Sequence, residues 1–251
     1  MDAEDQRENQ RNPARDRLRD AAIETFARLG LHATVRQIAA DAGVTAGLVT
    51  HHFGSRARLR TECDDEVAHR IRALKEDGMA RSPEQQLAMI GELDESGSTM
   101  SYTLRLVREG GPAGRAFLER LIDDAHAYLQ EGVNAGLIRP SRDPRMRARY
   151  LVASQLGGVL LQADLLGLDL ADGPALVQRI AADTSLTALE LYTEGLLVDR
   201  ALLDGFLAAA GPADAATSAH AAPARTTARA SGPIDPAPAD RRERTKKEGA
   251  S

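Results

Sequence analysis

TVRQIAADAGVTAGLVTHHF, residues 34–53, is the stretch on which the fold turns. Thr34-Val35-Arg36-Gln37 reads as a capping box, in which the Thr hydroxyl and the Gln side chain each accept from the other residue's backbone N–H. Val35, Ile38, Ala39 and Ala42 then form the apolar face of a short helix. Gly43 supplies the positive φ that a tight turn needs. Thr45 caps a second short helix, with Leu48 or Val49, and Phe53, facing inward. Ala39 is small where the two helices cross, and Val44 and Val49 fill the angle between them. Together these residues spell a helix-turn-helix. Such a unit offers the N-terminal face of its second helix to a major groove. That face is Thr45, Ala46, Gly47, Thr50 and His51, with no acid among them. No carboxylate occurs between Asp41 and Glu62, and Arg56, Arg58 and Arg60 follow the unit directly. A surface of this kind suits a polyanion. Spacing alone fits an ordinary helical hairpin with a solvated face equally well.

Outward from this stretch the chain reads as helix after helix. Leu18, Ala22, Phe26 and Leu29 share one face of a helix from about 13 to 29, ended by Gly30. Ser55 caps a further helix with a stripe of Leu59, Cys63, Val67, Ile71 and Leu74, which Gly78 is expected to break. Ser82-Pro83-Glu84-Gln85 is another helix start, with Pro at the first helical position. Further helices are expected over about 83–93, 99–109, 113–135, 144–166 and 174–197, with a short last one from Asp199 to about Ala209. No alternating Val/Ile/Thr segment suggests a strand. The expected class is therefore all-α: a three-helix helix-turn-helix head on a larger helical-bundle body. The expected division is a disordered arm at 1–12, a head at 13–58, a body at 59–210 and a disordered tail at 211–251. That tail is rich in Ala and Pro, with Ile234 its one large aliphatic, too little to offset ordering entropy. Its basic end, Arg241 to Lys247, reads first as a solvated terminus and second as an accessory nucleic-acid contact.

Composition narrows the function classes. The 251 residues carry a net charge of −5, with 43% hydrophobic and only 3% aromatic residues. The acidic total argues against coating nucleic acid generally, yet residues 1–60 hold ten Arg against eight acids, a basic head on an acidic body. No apolar run is long enough for a membrane span, and the charged N-terminus does not read as a signal peptide. With one cysteine, Cys63, no internal disulfide can form, which fits a reducing compartment, so a cytoplasmic location is expected. Cys63 reads as a small core residue. His51-His52 lacks further His or Cys at ligand spacing, so neither a metal nor a cofactor is expected. No phosphate loop, nucleophile elbow or other catalytic motif stands out, and no enzyme is expected.

The order and spacing of Ala21-Ala22-Ile23-Glu24-Thr25-Phe26-Ala27-Arg28-Leu29-Gly30, of Thr34 to Val49, and of His52-Phe53-Gly54-Ser55-Arg56-Ala57-Arg58-Leu59 resemble the N-terminal domain of TetR-type transcriptional regulators. The match spans about 45 residues; the rest agrees in length and helical layout alone. The resemblance implies a DNA-binding head on a helical body that dimerises and often binds a small effector. It implies that Thr34, Arg36 and Gln37 approach the backbone and groove edge. It places Thr45, Ala46, Gly47, Thr50 and His51 on the recognition helix, and His52 and Arg56 at phosphate contacts. Thr50 departs from the Tyr common at that position in the family.

For the body, the resemblance favours a four-helix dimer seam. Leu151, Leu156, Val159, Leu160 and Leu165 are apolar, Ala153, Gly157 and Gly158 small, and Leu176, Val177, Ile180, Leu186, Leu189 and Leu196 supply a second face. Two adjacent Gly inside a helix cost roughly 1 kcal/mol each against Ala, which close helix approach would offset. An effector pocket is expected among the helices between 83 and 166. Its candidate lining is Met89, Leu93, Met100, Tyr102, Leu104, Phe117, Leu121, Ile122 and Tyr128, most of which could equally fill the core. The expected function is a homodimeric repressor on a palindromic double-stranded DNA operator, released by a small apolar effector. The alternative is a helical protein that keeps the head but acts through protein partners.

Overall fold

The computed structural model describes residues 13–82, 85 and 97–217, with side chains to residue 209. Thr34, Thr45 and Ser55 start three successive helices, because each side chain accepts from a backbone N–H three residues on. α1 is Pro13–Leu29, α2 Val35–Asp41, α3 Ala46–Phe53 and α4 Arg56–Ala80. α5 is Gly97–Glu109, α6 Gly111–Asn134, α7 Pro144–Leu166, α8 Gly173–Thr193 and α9 Ala201–Thr217. No strand occurs among the described residues, and no helix there is long and apolar enough to cross a membrane. The all-α class and the head-on-body layout therefore hold.

Four details differ from the expectation. α4 runs through Gly78 to Ala80, since a single Gly costs a long helix only about 1 kcal/mol. Leu29 lies exposed on the last turn of α1. α8 stops at Thr193, just before Gly195 at φ +82°. α9 continues to Thr217, into the segment expected to be without structure. Ser82 and Gln85 form the reciprocal cap foreseen for the helix over 83–93, with Ser82 N donating to Gln85 Oε1 at 2.9 Å. That helix, the arm at 1–12 and the chain beyond 217 lie outside the described residues.

The main core joins head and body. Leu18, Ile23 and Phe26 of α1, Ile38 of α2 and Val49 and Phe53 of α3 are buried with Leu59, Cys63 and Val67 of α4. Tyr102 and Leu106 of α5 and Phe117 and Leu121 of α6 belong to the same cluster. Phe26 meets Tyr102 edge-to-face at 6.0 Å. The head thus shares its core with the body. A second cluster holds Leu104, Ala163, Leu170, Leu176 and Ile180, and a third Ile122, Ala125, Leu129 and Ala148. α5 is the pivot. Its Thr99, Ser101, Tyr102, Thr103, Leu104 and Leu106 are all buried, so helices pack around most of its circumference.

Candidate nucleic-acid interface

α2 and α3 meet across a turn at Ala42-Gly43-Val44, where Gly43 has φ +66° and Val44 N donates to Ala39 O at 2.9 Å. That bond fixes the angle between the helices, with Ala39 buried beneath it. Gln37 Oε1 accepts from Thr34 N at 2.8 Å and Thr34 Oγ1 at 2.9 Å. Thr45 Oγ1 accepts from Leu48 N at 3.3 Å. Asp41 is drawn back to α1 by Thr25, 2.7 Å away, and Arg28. The one acid on the unit is thereby paired on the side facing α1. Val49, not Leu48, is buried in α3, together with Phe53.

Thr34, Arg36, Gln37, Thr45, Gly47, Thr50 and His51 are exposed, while Ala46 and His52 are half-buried. The Thr50 hydroxyl donates to Ala46 O at 3.1 Å, so it lies along the helix rather than reaching outward as a Tyr would. The rings of His51 and His52 meet edge-to-face at 5.6 Å. Arg36 and Arg58 are exposed and form no ion pair with the described residues. The N-terminal face of α3 thus stands open, and Arg36 on α2 and Arg58 on α4 are exposed in the flanking helices.

Arg56 is engaged within the chain. Its Nε donates to Ala33 O at 2.8 Å and its Nη2 to Leu31 O, and its guanidinium stands 5.7 Å from the Phe26 ring centroid. It ties the α1–α2 loop to the start of α4. Arg60 is likewise inward, with Nε 3.1 Å from Asp64 and Nη2 3.2 Å from Glu109. Arg58 is the arginine of this run that stays outward. Arg58 lies about 200° round the helix from Arg56 and from Arg60, which share a face about 40° apart, so side-chain direction could have separated it from them.

Behind the face, α5 grips the head. Tyr102 Oη donates to Asp64 Oδ1 at 2.6 Å. Burial pushes the Tyr102 phenol well above its usual range, and the Asp64 charge pushes it the same way, so it remains a donor. Arg105 Nε donates to Ala27 O at 2.6 Å and Nη2 to Arg28 O at 3.1 Å. These are last-turn carbonyls of α1, orphans of the helix end that a cation is well suited to cap. Sequence reasoning missed Arg105, because nothing local marks a side chain that bonds to a helix some 77 residues away.

Residues 18–63 match the model of bacterial regulatory proteins of the tetR family, and residues 94–198 match the tetracyclin repressor-like C-terminal domain. The chain is 43% identical over 207 residues to the HTH-type transcriptional regulatory protein RaaS of Mycobacterium tuberculosis, covering 80% of this chain and 95% of that one. The chain belongs to the TetR family. It is also 28% identical to the transcriptional regulator BetI 2 of Chromohalobacter salexigens, over 74% of this chain and 94% of that one. Among solved structures, FadR from Bacillus subtilis, in complex with stearoyl-CoA, aligns with TM-score 0.51 at 21% identity. The alignment covers 72% of this chain and 99% of FadR. This TetR-family chain is therefore a transcriptional regulator with a DNA-binding helix-turn-helix.

Its body departs from several residue-level expectations. Tyr102 and Leu104 are fully buried, and Phe117, Leu121 and Ile122 are core residues. Tyr128 is half-buried against the third cluster. Met89 and Leu93 lie outside the described residues. A cavity of about 160 Å³ does lie between α5, α7 and α8, lined by Met100, Val159, Leu176, Val177, Ile180 and Ala181. Of the described candidates, Met100 alone lines it, and it is smaller than the ~300 Å³ expected of a pocket.

The seam residues divide. Leu156 and Leu160 pack on the protomer's own clusters. Gly157 and Gly158 have open space where a Cβ would stand, so no helix among the described residues requires them small. They lie on a face of α7 with Tyr150, Leu161 and Leu165, all exposed, beside exposed Leu186 and Leu189 of α8.

Proposed function

We propose that this TetR-family regulator is a homodimeric repressor of a palindromic operator, released by a small apolar effector. The observation that carries the DNA half is the exposed, carboxylate-free face of α3 between Arg36 and Arg58. Thr45, Gly47, Thr50 and His51 read base edges, while the two arginines and His52 lie where phosphates run. Arg58 takes the place first expected of Arg56.

Dimerisation is supported by the exposed apolar face of α7 and α8, which a second copy would cover about a two-fold axis. Two heads would then meet half-sites one helical turn, ~34–36 Å, apart. Occupancy of the operator excludes polymerase from the same DNA, which makes repression the simplest outcome.

The apolar cavity supports the effector reading. An apolar cavity near 150 Å³ accepts a ligand of about benzene's size. α5 lines this cavity with Met100 and holds α1 with Arg105, so a ligand that favours one position of α5 favours one position of the head. Only a difference in affinity between the two states releases DNA. The test begins with selection of bound fragments from genomic DNA, followed by release assays with small apolar compounds. A selected palindrome whose complex dissociates with a compound that Met100→Trp excludes supports the whole reading. Failure to enrich any sequence contradicts its DNA half, and retention of the complex with every bound compound contradicts its effector half.

A further inference from the structure

The family match ends at residue 198, and α9 begins at Ala201. α9 is 17 residues long and carries Gly205, Gly211 and Pro212, yet it is helical. Alone in water a helix of this length and composition is marginal. In its own protomer little supports it. Leu202 is 72% and Phe206 70% exposed, Leu203 also lies open, and Leu207 is half-buried. Leu202 with Phe206, and Leu203 with Leu207, stand at i, i+4 and make one broad apolar stripe. Asp204 is the single charge between Ala201 and Ala209, and it pairs with Arg200 at the helix start. Asp199 Oδ1 accepts from Ala201 N at 2.8 Å, so the chain builds a deliberate N-terminus for this helix.

The exposed apolar surface does not stop at α9. It runs from Leu186 and Leu189 at the end of α8 through Leu196, Leu197 and Val198 to Leu202 and Phe206. A soluble monomer rarely exposes a continuous apolar patch beyond a few hundred Å². Leu196, Leu197, Val198, Leu202, Leu203 and Phe206 add six exposed large apolar side chains beyond α8, and along the chain they follow directly on the face assigned above to a second copy. A self-complementary two-fold contact covers both copies' surfaces at once.

We propose that α9 is an exchanged arm. Resting on the homodimer reading above, α9 of each copy lays Leu202, Leu203 and Phe206 on the partner's body, extending the α7–α8 seam beyond the family's common boundary. The partner is a second copy of this chain. The connection from Thr193 to Ala201 is short, reaching at most roughly 25–30 Å, so the arm can lie only beside the seam from which it emerges.

The test uses the full chain. Phe206→Glu is exposed in the protomer, so its own fold should survive, while the dimer dissociation constant measured by sedimentation equilibrium should rise at least tenfold. Leu189→Glu, on the α7–α8 face, is the control. Replacing Phe206 with photoreactive benzoylphenylalanine should give a covalent dimer on irradiation. If Leu189→Glu separates the dimer but Phe206→Glu leaves it within twofold of wild type, the seam stands and the arm is wrong. A photoproduct joined only within one chain also overturns the arm. A wild-type chain that is monomeric at micromolar concentration overturns the homodimer reading itself, and the arm with it.

Discussion

Arg56, Arg58 and Arg60 sit within one turn and a half of helix and have three different surroundings. Arg56 caps the Leu31 and Ala33 carbonyls, Arg60 bridges Asp64 and Glu109, and Arg58 faces solvent. Arg36→Ala and Arg58→Ala should each weaken operator binding across sequences and flatten the salt slope by about one unit, if each neutralises one phosphate. Titrations at several salt concentrations check this. Arg56→Ala should instead leave two carbonyls unpaired and cost about 1–3 kcal/mol of stability, read by denaturant unfolding, with the salt slope unchanged. Tyr102→Phe removes the hydroxyl that donates to Asp64 and should cost a similar ~1–3 kcal/mol, because a half-buried carboxylate loses a donor. The capping residues Thr34, Gln37, Thr45 and Ser55, and the inward set Ile38, Ala39 and Phe53, were legible in the sequence because their signals are local. The destinations of Arg56, Tyr102 and Arg105 were not, since each is set by a partner far along the chain.

Between elements, two pairs of glycines behave in opposite ways. At the start of α5 and α8, a Cβ on Gly97 would stand 2.4 Å from Pro174 N, and one on Gly173 2.1 Å from Gly97 O. Both helix ends meet backbone to backbone, which leaves room for glycine alone. Gly97→Ala should therefore destabilise the protomer itself by several kcal/mol, visible as a lowered Tm. A Cβ on Gly157 or Gly158 would meet nothing among the described residues. Gly157→Leu should leave the folded protomer's helical content unchanged while shifting the chain toward monomer in sedimentation and lowering operator affinity. Unchanged assembly would place the seam elsewhere. The helical period exposed the Gly157-Gly158 pair as an oddity at once. The Gly97–Gly173 crossing stayed hidden, because a tertiary contact leaves no periodic mark. The lining of the cavity was the least legible feature: Leu, Met and Tyr lining a cavity and filling a core look alike in sequence, and of the described candidates Met100 alone reaches it.

At the scale of the whole molecule, one helix connects the parts. α5 shares a core with α1, bonds to α1 and α4 through Arg105 and Tyr102, and lines the cavity through Met100. Head and body are successive segments of sequence, and the shared core joins them. On the function proposed above, two such units present two α3 helices to one operator. This is tested most directly by measuring stoichiometry and salt dependence together, on the fragment the protein selects from genomic DNA. The expected result is two chains per fragment, protection of two half-sites ~34–36 Å apart, and affinity that falls steeply as salt rises, less steeply for Arg36→Ala. One chain per fragment, or an affinity indifferent to both salt and Arg36, would contradict it.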